Sequence, residues 1–216
     1  MFVIHIIMLF IFILTLACVF RKSFVEMLPV GISSLVLLLY VLSFGRHLDW
    51  IDGIALLLLC GIALYFFTRK GEQRKALLKR CIEILKDPSA IAGLILLLLV
   101  VIGVSGKVVS WWDDYNFWAT DVKSIFYRNG FADKYANAAP EFGDYPPGTQ
   151  MMKWWFLHFS PGQFREGLLF AGYYVFNLSF LLPLLHYIRK KTPFSMTLGA
   201  ILLWIFPTMT EVFWCD

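Results

Sequence analysis

The sequence AIAGLILLLLVVIGVSG, residues 90–106, is a long uninterrupted apolar stretch. It contains no charged side chain, and about 20 apolar residues in helical form cross the hydrocarbon core of a bilayer. Asp87 and Pro88 stand shortly before it. Aspartate is a favoured helix N-cap and proline is favoured in the first turn. The pattern therefore predicts a transmembrane helix that begins at these two residues.

Composition extends this interpretation to the whole chain. Hydrophobic residues make up 59% of the sequence and charged residues 16%, whereas about a quarter of a soluble domain is charged. A shorter apolar piece, 149–159, either crosses the membrane or is re-entrant. We therefore predict an all-α, polytopic transmembrane helical bundle with six or seven spans. The other long apolar stretches are 2–20, 28–44, 51–67, a stretch ending at 188, and 194–214.

Charge placement predicts the orientation of these helices. Seven basic residues fall between positions 69 and 86, and such a block normally marks the cytoplasmic side. Apolar residues recur between them at helical spacing, which predicts an amphipathic helix on the inner membrane face. The helix at 90–106 then runs outward, and 107–148 forms an extracytoplasmic loop. The net charge of +4 is too modest to suggest nucleic acid as a partner.

The outer loop opens with an acid pair inside an aromatic run, WWDDYNFW at residues 111–118. Asp113 and Asp114 repel each other and are costly to desolvate, so such a pair often serves proton transfer, cation binding or substrate contact. The alternative is structural, since aromatic belts are ordinary at membrane interfaces and aspartate caps helices. Adjacent aspartates suit a divalent cation as well as a metal-free base, so the metal stays unknown.

A helix along the outer membrane surface is predicted after the acid pair, ending at Asn129 and Gly130. Lys123 and Arg128 lie off its apolar face, where they either bind the phosphate of a lipid headgroup or snorkel to the interface. Further along, the segment EFGDYPPG at 141–148 joins two more acids to a corner made rigid by consecutive prolines.

This order of features resembles the GT-C superfamily of membrane glycosyltransferases, especially the bacterial relatives of protein O-mannosyltransferases and aminoarabinose transferases. The matching segments are WDD at 112–114 and FGDYPPG at 142–148. The resemblance covers residues 90–216. Residues 1–89, with three helices and the basic helix, would form an added N-terminal domain. Family members have more helices than this chain, which stops at an apolar stretch, so we expect it to be the front part of a longer protein.

The resemblance implies a polyprenyl-phosphate sugar as donor and an acceptor hydroxyl on the outer membrane face. Asp113 would be the general base, with Asp114 orienting the acceptor or binding a cation. Lys123 and Arg128 would stabilise the donor phosphate. The resemblance also implies three further site residues: Asp144 and Tyr145 on the acceptor side, and Asp216 as a further acidic residue.

The competing interpretation is a noncatalytic polytopic membrane protein: a transporter, a lipid-binding subunit or an inactive fragment. Ionisable residues inside the membrane mark transport pathways. This chain has few of them within its apolar stretches, among them His5, Lys153 and His158, which disfavours a transporter. The expected partners are the lipid-linked donor and membrane lipids. The sugar, the acceptor, the linkage and the oligomeric state are not specified by the sequence.

Overall fold

The computed structural model of the protein describes residues 2–132, 146–160 and 162–188, and the single positions 197, 199 and 201. Within these ranges the backbone forms helices joined by turns and short links, with no strand. The predicted all-α class is therefore confirmed for this part of the chain.

The helices have the following bounds: α1 Phe2–Phe20, α2 Phe24–Phe44, α3 Ile51–Phe67, α4 Gly71–Leu85, α5 Pro88–Gly103, α6 Ala119–Arg128, α7 Gly148–Leu157, α8 Glu166–Leu181 and α9 Pro183–Ile188. A short 3₁₀ turn, Leu48–Trp50, leads into α3, and a π-helical turn, Asp114–Trp118, leads into α6.

Within the described residues, three helical segments are long and apolar enough to cross a membrane: Phe24–Phe44, Leu48–Phe67 and Glu166–Ile188. A fourth span results if α4 and α5, which meet at a bend of 60°, are counted together. The predicted six or seven spans are thus not confirmed. The ten residues of α7 rise by about 15 Å, half the thickness of the hydrocarbon core, so α7 alone is too short to span.

The start of α5 is the one that the sequence predicts. The Ser89 backbone N–H donates to Asp87 Oδ1 at 2.9 Å, and the Ser89 hydroxyl donates to the same oxygen at 2.7 Å. Asp87 is therefore the N-cap and Pro88 the first helical residue, as predicted. Before the bend, α4 has no buried residue, as expected of an amphipathic helix on a surface.

The chain packs into two compact units, and each draws on both halves of the sequence. Among the described residues, the first unit takes in Met1–Ile32, Asp52–Leu96 and part of Ser179–Ile205; the second takes in Ser33–Ile51 and Leu97–Leu178. The predicted division into 1–89 and 90–216 stays a prediction.

In the first unit, α1 packs against α2 and α4. Gly31 lets α2 approach Ile13 so closely that an added Cβ would overlap that side chain. The rings of Phe10 and Phe24 contact each other at a tilt of 42°, with 5.2 Å between their centroids. Facing α4, the sulfur atoms of Cys18 and Cys81 lie 2.8 Å apart. These contacts fix α1 on two sides.

In the second unit, the end of α6 is held against the link that follows α2. Asn129 adopts the left-handed conformation at the predicted helix stop, with φ 60°. The Phe131 N–H donates to Ser43 O at 2.9 Å, and Arg46 Nε donates to Phe131 O at 3.1 Å. The approach is so close that a Cβ on Gly130 would lie 2.5 Å from Ser43 O.

The helix α6 has the predicted apolar face, with Val122 and Ile125 buried and Lys123 and Arg128 exposed. Asp121 is also buried, with only 1% of its surface exposed. It lies in the first turn of α6, where the helix dipole stabilises a carboxylate.

Candidate functional site

A cavity of about 360 Å³ in the second unit is lined by both aspartates of the predicted pair. Four segments contribute to it: the link after α5, the π-helical turn, α7 and α8. The other lining residues are Lys107, Trp111, Trp118, Thr149, Lys153, Phe170 and Tyr173. Two lysines and two carboxylates therefore share one aromatic-walled space.

The π-helical turn presents the acid pair. Asp113 directly precedes this turn and is exposed, whereas Asp114 is its first residue and is half-buried. The turn is tied to the preceding residues by the Tyr115 N–H, which donates to Trp111 O at 3.1 Å, and by Asn116 Nδ2, which donates to Trp112 O at 2.8 Å. π-Helical turns are rare and occur frequently at functional sites.

Lys107 is placed by the packing of its link against the first turn of α8. Glu166 Oε2 accepts a hydrogen bond from the Val109 N–H at 2.6 Å, and a Cβ on Gly167 would overlap the Ser105 carbonyl. With the link fixed, Lys107 Nζ lies 4.9 Å from the centre of the Phe170 ring, within the range of a cation–π contact. Its ammonium group is thus held at the cavity.

Lys153 is placed by an equally close contact between α7 and α8. A Cβ on Gly172 would lie 2.6 Å from Met152 O and 2.7 Å from Lys153 Cα, so only glycine permits this approach. Lys153 is 6% exposed, and its Nζ lies 5.2 Å from the centre of the Tyr173 ring. Because burial removes an ammonium group from water, its attraction for an anion is stronger than at a surface.

This set of side chains can perform two chemical tasks together. A carboxylate that ligands can reach, such as Asp113, can accept a proton from a hydroxyl group. Two ammonium groups can stabilise a phosphate, because charge-assisted hydrogen bonds to phosphate are strong. The pair of carboxylates also offers oxygen ligands to a divalent cation. Lys107 and Lys153 already bring two positive charges to the same cavity, so the donor set fits such a cation poorly.

The other site residues predicted from the sequence fall elsewhere. Lys123 and Arg128 are exposed on α6 and are not among the residues that line the cavity. Lys123 Nζ instead lies 5.8 Å from the centre of the Phe164 ring. Their proposed contact with the donor phosphate stays a prediction. Asp144, Tyr145 and Asp216 lie outside the described residues.

Sequence reasoning did not select Lys107, Lys153, Thr149 or Tyr173 as site residues. One signal was available: Lys153 lies within the apolar stretch 149–159, and a lysine inside a membrane protein's apolar stretch is a default indication of function. Lys107 is the first charged residue after the 90–106 stretch, which is an ordinary position for an interfacial lysine. Nothing in the sequence distinguishes it from such a residue.

Comparisons of the chain with models of protein families, with curated proteins and with solved structures find no match. The cavity and the resemblance carried by residues 112–114 and 142–148 are therefore the features that bear on function.

Proposed function

We propose that this chain acts as a membrane glycosyltransferase of the GT-C type, moving a sugar from a polyprenyl-phosphate donor to an acceptor hydroxyl on the outer membrane face. One observation supports it most: Asp113 and Asp114 line the same cavity as Lys107 and Lys153. Transfer of a sugar from a phosphate carrier needs both a base for the acceptor and cations for the leaving group.

In the proposed reaction, Asp113 takes the proton of the acceptor hydroxyl. The acceptor oxygen then forms a bond to the anomeric carbon of the sugar, while the bond from that carbon to the phosphate oxygen breaks. The bonding electrons leave with the polyprenyl phosphate. Asp114, half-buried beside the base, orients the acceptor hydroxyl. Holding reactants in line in this way can supply much of the rate enhancement.

The leaving phosphate gains negative charge as its bond to the sugar breaks. Lys107 and Lys153 are the cavity residues that stabilise this charge in our proposal, since fixed cations act most strongly where charge develops. They take the part that the resemblance assigned to Lys123 and Arg128. Those two exposed residues remain suited to lipid headgroups at the outer surface.

The proposal requires a particular topology. The chain has six or seven spans in the cell membrane, with the basic block at 69–86 inside and the loop at 107–148 outside. The polyprenyl chain of the donor lies in the bilayer, and its phosphate enters the cavity from the membrane side. Among the described residues, three or four helices are long and apolar enough to span a membrane, which supports the membrane location that the proposal requires.

Replacing the proposed base tests this function. With labelled polyprenyl-phosphate sugars and membranes that contain the protein, we expect Asp113→Asn to lower sugar transfer by about 100-fold or more, as loss of a general base usually does. Glu72→Gln is the matched control, because Glu72 is an exposed acid on α4 and does not line the cavity. Equal transfer by the Asp113→Asn variant and the wild type would contradict the assignment.

A noncatalytic lipid-binding protein is the second candidate, favoured by the buried ammonium group of Lys153. In that case the cavity would bind a phosphate headgroup and catalyse nothing. A well-inserted wild-type protein that binds the donor lipid but transfers no sugar to any acceptor would support this candidate over the enzyme.

A further inference from the structure

A second cavity, of about 670 Å³, lies in the first unit, where the end of α1, the α3–α4 link and α4 come together. It shares no lining residue with the cavity at Asp113. Its charged lining residues are four cations and one acid: Arg21, Arg69, Lys79, Arg80 and Glu83. A concave surface with this excess of positive charge attracts anions.

Arg21 directly follows α1, at a position that normally favours glycine. Its φ is 57°, and the Lys22 N–H donates to Ala17 O at 3.1 Å, which closes the helix in a Schellman-type turn. Glycine is the usual residue at the left-handed position of such a turn. A strained non-glycine residue persists where its surroundings require it, often at a ligand site. Here the arginine brings a guanidinium group to the cavity.

Two further arginines of the cavity are held in place. The guanidinium carbon of Arg69 lies 4.3 Å from the centre of the Tyr65 ring, and both residues line the cavity. Arg80 Nη1 donates to Cys18 O at 3.3 Å. A guanidinium group carries five N–H donors, so this bond uses only one of them. An arginine whose guanidinium plane is held in place can bind two phosphate oxygens at once.

We propose that this cavity binds the phosphate group of an anionic phospholipid headgroup. The surroundings favour a lipid over a soluble phosphate compound. Leu78 and Ile82 of α4 are 47% and 51% exposed, between basic residues of the same helix. A helix with exposed apolar and basic side chains binds at a lipid interface, and the acyl chains of the bound lipid would cover these residues.

The test measures binding of fluorescent phosphatidylglycerol to the purified full chain in neutral detergent micelles. We expect saturable binding that falls by about ten-fold in Arg21→Gly and in Arg69→Gln, the loss typical of one charge-assisted hydrogen bond. Arg21→Gly is the sharper variant. It removes the cation and relieves the left-handed strain, so its melting temperature should equal or exceed that of the wild type.

Lys75→Gln is the matched control. Lys75 is an exposed cation on α4, its Nζ lies 3.2 Å from Glu72 Oε1, and it does not line the cavity. We expect its affinity to change by less than about two-fold. If it weakens binding as much as Arg69→Gln does, the attraction is diffuse and the proposed site is wrong. Inorganic phosphate that displaces the labelled lipid at equal concentration would assign the cavity to a soluble phosphate compound and overturn the lipid proposal.

Discussion

Lys153 shows how packing can turn an ordinary residue into a candidate site residue. In the sequence it is one lysine in a short apolar stretch. In the structure it is 6% exposed, beside the Tyr173 ring, and it lines the cavity that contains the acid pair. Lys123, which the resemblance made the phosphate ligand, is exposed outside that cavity. Under the proposed function, removing the charge of Lys153 should therefore lower sugar transfer, whereas removing the charge of Lys123 should not.

The roles of Lys153 and Lys123 can be compared by making the same substitution at each position and measuring sugar transfer. Lys153→Met keeps an unbranched side chain of similar length and removes the charge, so we expect sugar transfer to fall by about 100-fold, the typical loss when a preorganised electrostatic group is removed. Lys123→Met should change transfer by less than about two-fold. Initial rates of transfer with both protein levels matched provide the measurement. If Lys123→Met lowers sugar transfer more than Lys153→Met does, Lys123 on α6 contacts the donor phosphate and the assignment to Lys153 is wrong.

The residues of the site differ in how far sequence could predict them. Asp113 and Asp114 are adjacent, so their pairing was visible without a structure. Lys107 and Lys153 reach the same cavity only because Gly167 and Gly172 let α8 approach two separate segments. The sequence alone does not show which glycines permit a close contact between helices, because that depends on the backbone that packs against each of them.

Among the helices, local signals predicted the bounds best. The start of α5 followed from the capping chemistry of Asp87, and the end of α6 from the left-handed preference of Asn129. The number of spans was less predictable. Helices α4 and α5 are apolar enough to span only when they are counted together, and with a bend of 60° they form either one broken span or a re-entrant loop. Hydropathy alone does not distinguish these two cases.

The close contact of Gly130 with the link after α2 predicts how a substitution there changes the stability of the protein. A methyl group on Gly130 would meet the Ser43 carbonyl at 2.5 Å and Arg46 Cα at 2.7 Å, both backbone atoms that cannot move independently. We expect Gly130→Ala to lower the free energy of unfolding by about 2 kcal/mol, a typical cost of overpacking. Tryptophan fluorescence during thermal unfolding in detergent measures it.

Gly53→Ala is the control for that experiment. Gly53 lies in α3, and nothing lies within 4 Å of the position its Cβ would take. Alanine is about 1 kcal/mol better than glycine within a helix, so this variant should be as stable as the wild type or more so. If the Gly130→Ala protein has the same melting temperature as the Gly53→Ala protein, the end of α6 does not pack closely against the link after α2.

The packing of α1 on α4 predicts unusual thiol chemistry on the surface helix α4. The hydrogen bond from the Cys18 thiol lowers the pKa of Cys81 to about 7 from the model-peptide value of 9.0. The thiolate is the reactive form, so Cys81 should reach half of its maximal alkylation rate near pH 7, with the rate rising as the pH rises through that value. Mild oxidation should join Cys81 to Cys18.

Alkylation of each cysteine, followed by peptide mass spectrometry across pH 5 to pH 10, measures this. The Cys18→Ala variant is the matched control, because it removes the hydrogen bond to Cys81 and leaves the Cys81 thiol in place. If Cys81 follows the same pH curve in this variant and in the wild type, the thiol pair does not form and α1 does not lie against α4 as described.

For the whole molecule, the proposed function requires the two charged regions to lie on opposite sides of the membrane. In a background without native cysteines, Lys75→Cys should react with a membrane-impermeant maleimide only after cells are permeabilised, because basic blocks remain inside. Lys123→Cys should react in intact cells. Labelling of both from the same side would exclude the proposed topology.

We propose that the cavity lined by Asp113, Asp114, Lys107 and Lys153 is where the sugar is transferred. A single-turnover experiment on the Asp113→Asn protein that follows donor binding and sugar transfer in one sample tests this proposal. We expect the variant to bind the labelled polyprenyl-phosphate sugar with nearly wild-type affinity and to leave the sugar on its carrier. Transfer at the wild-type rate by the variant would contradict it.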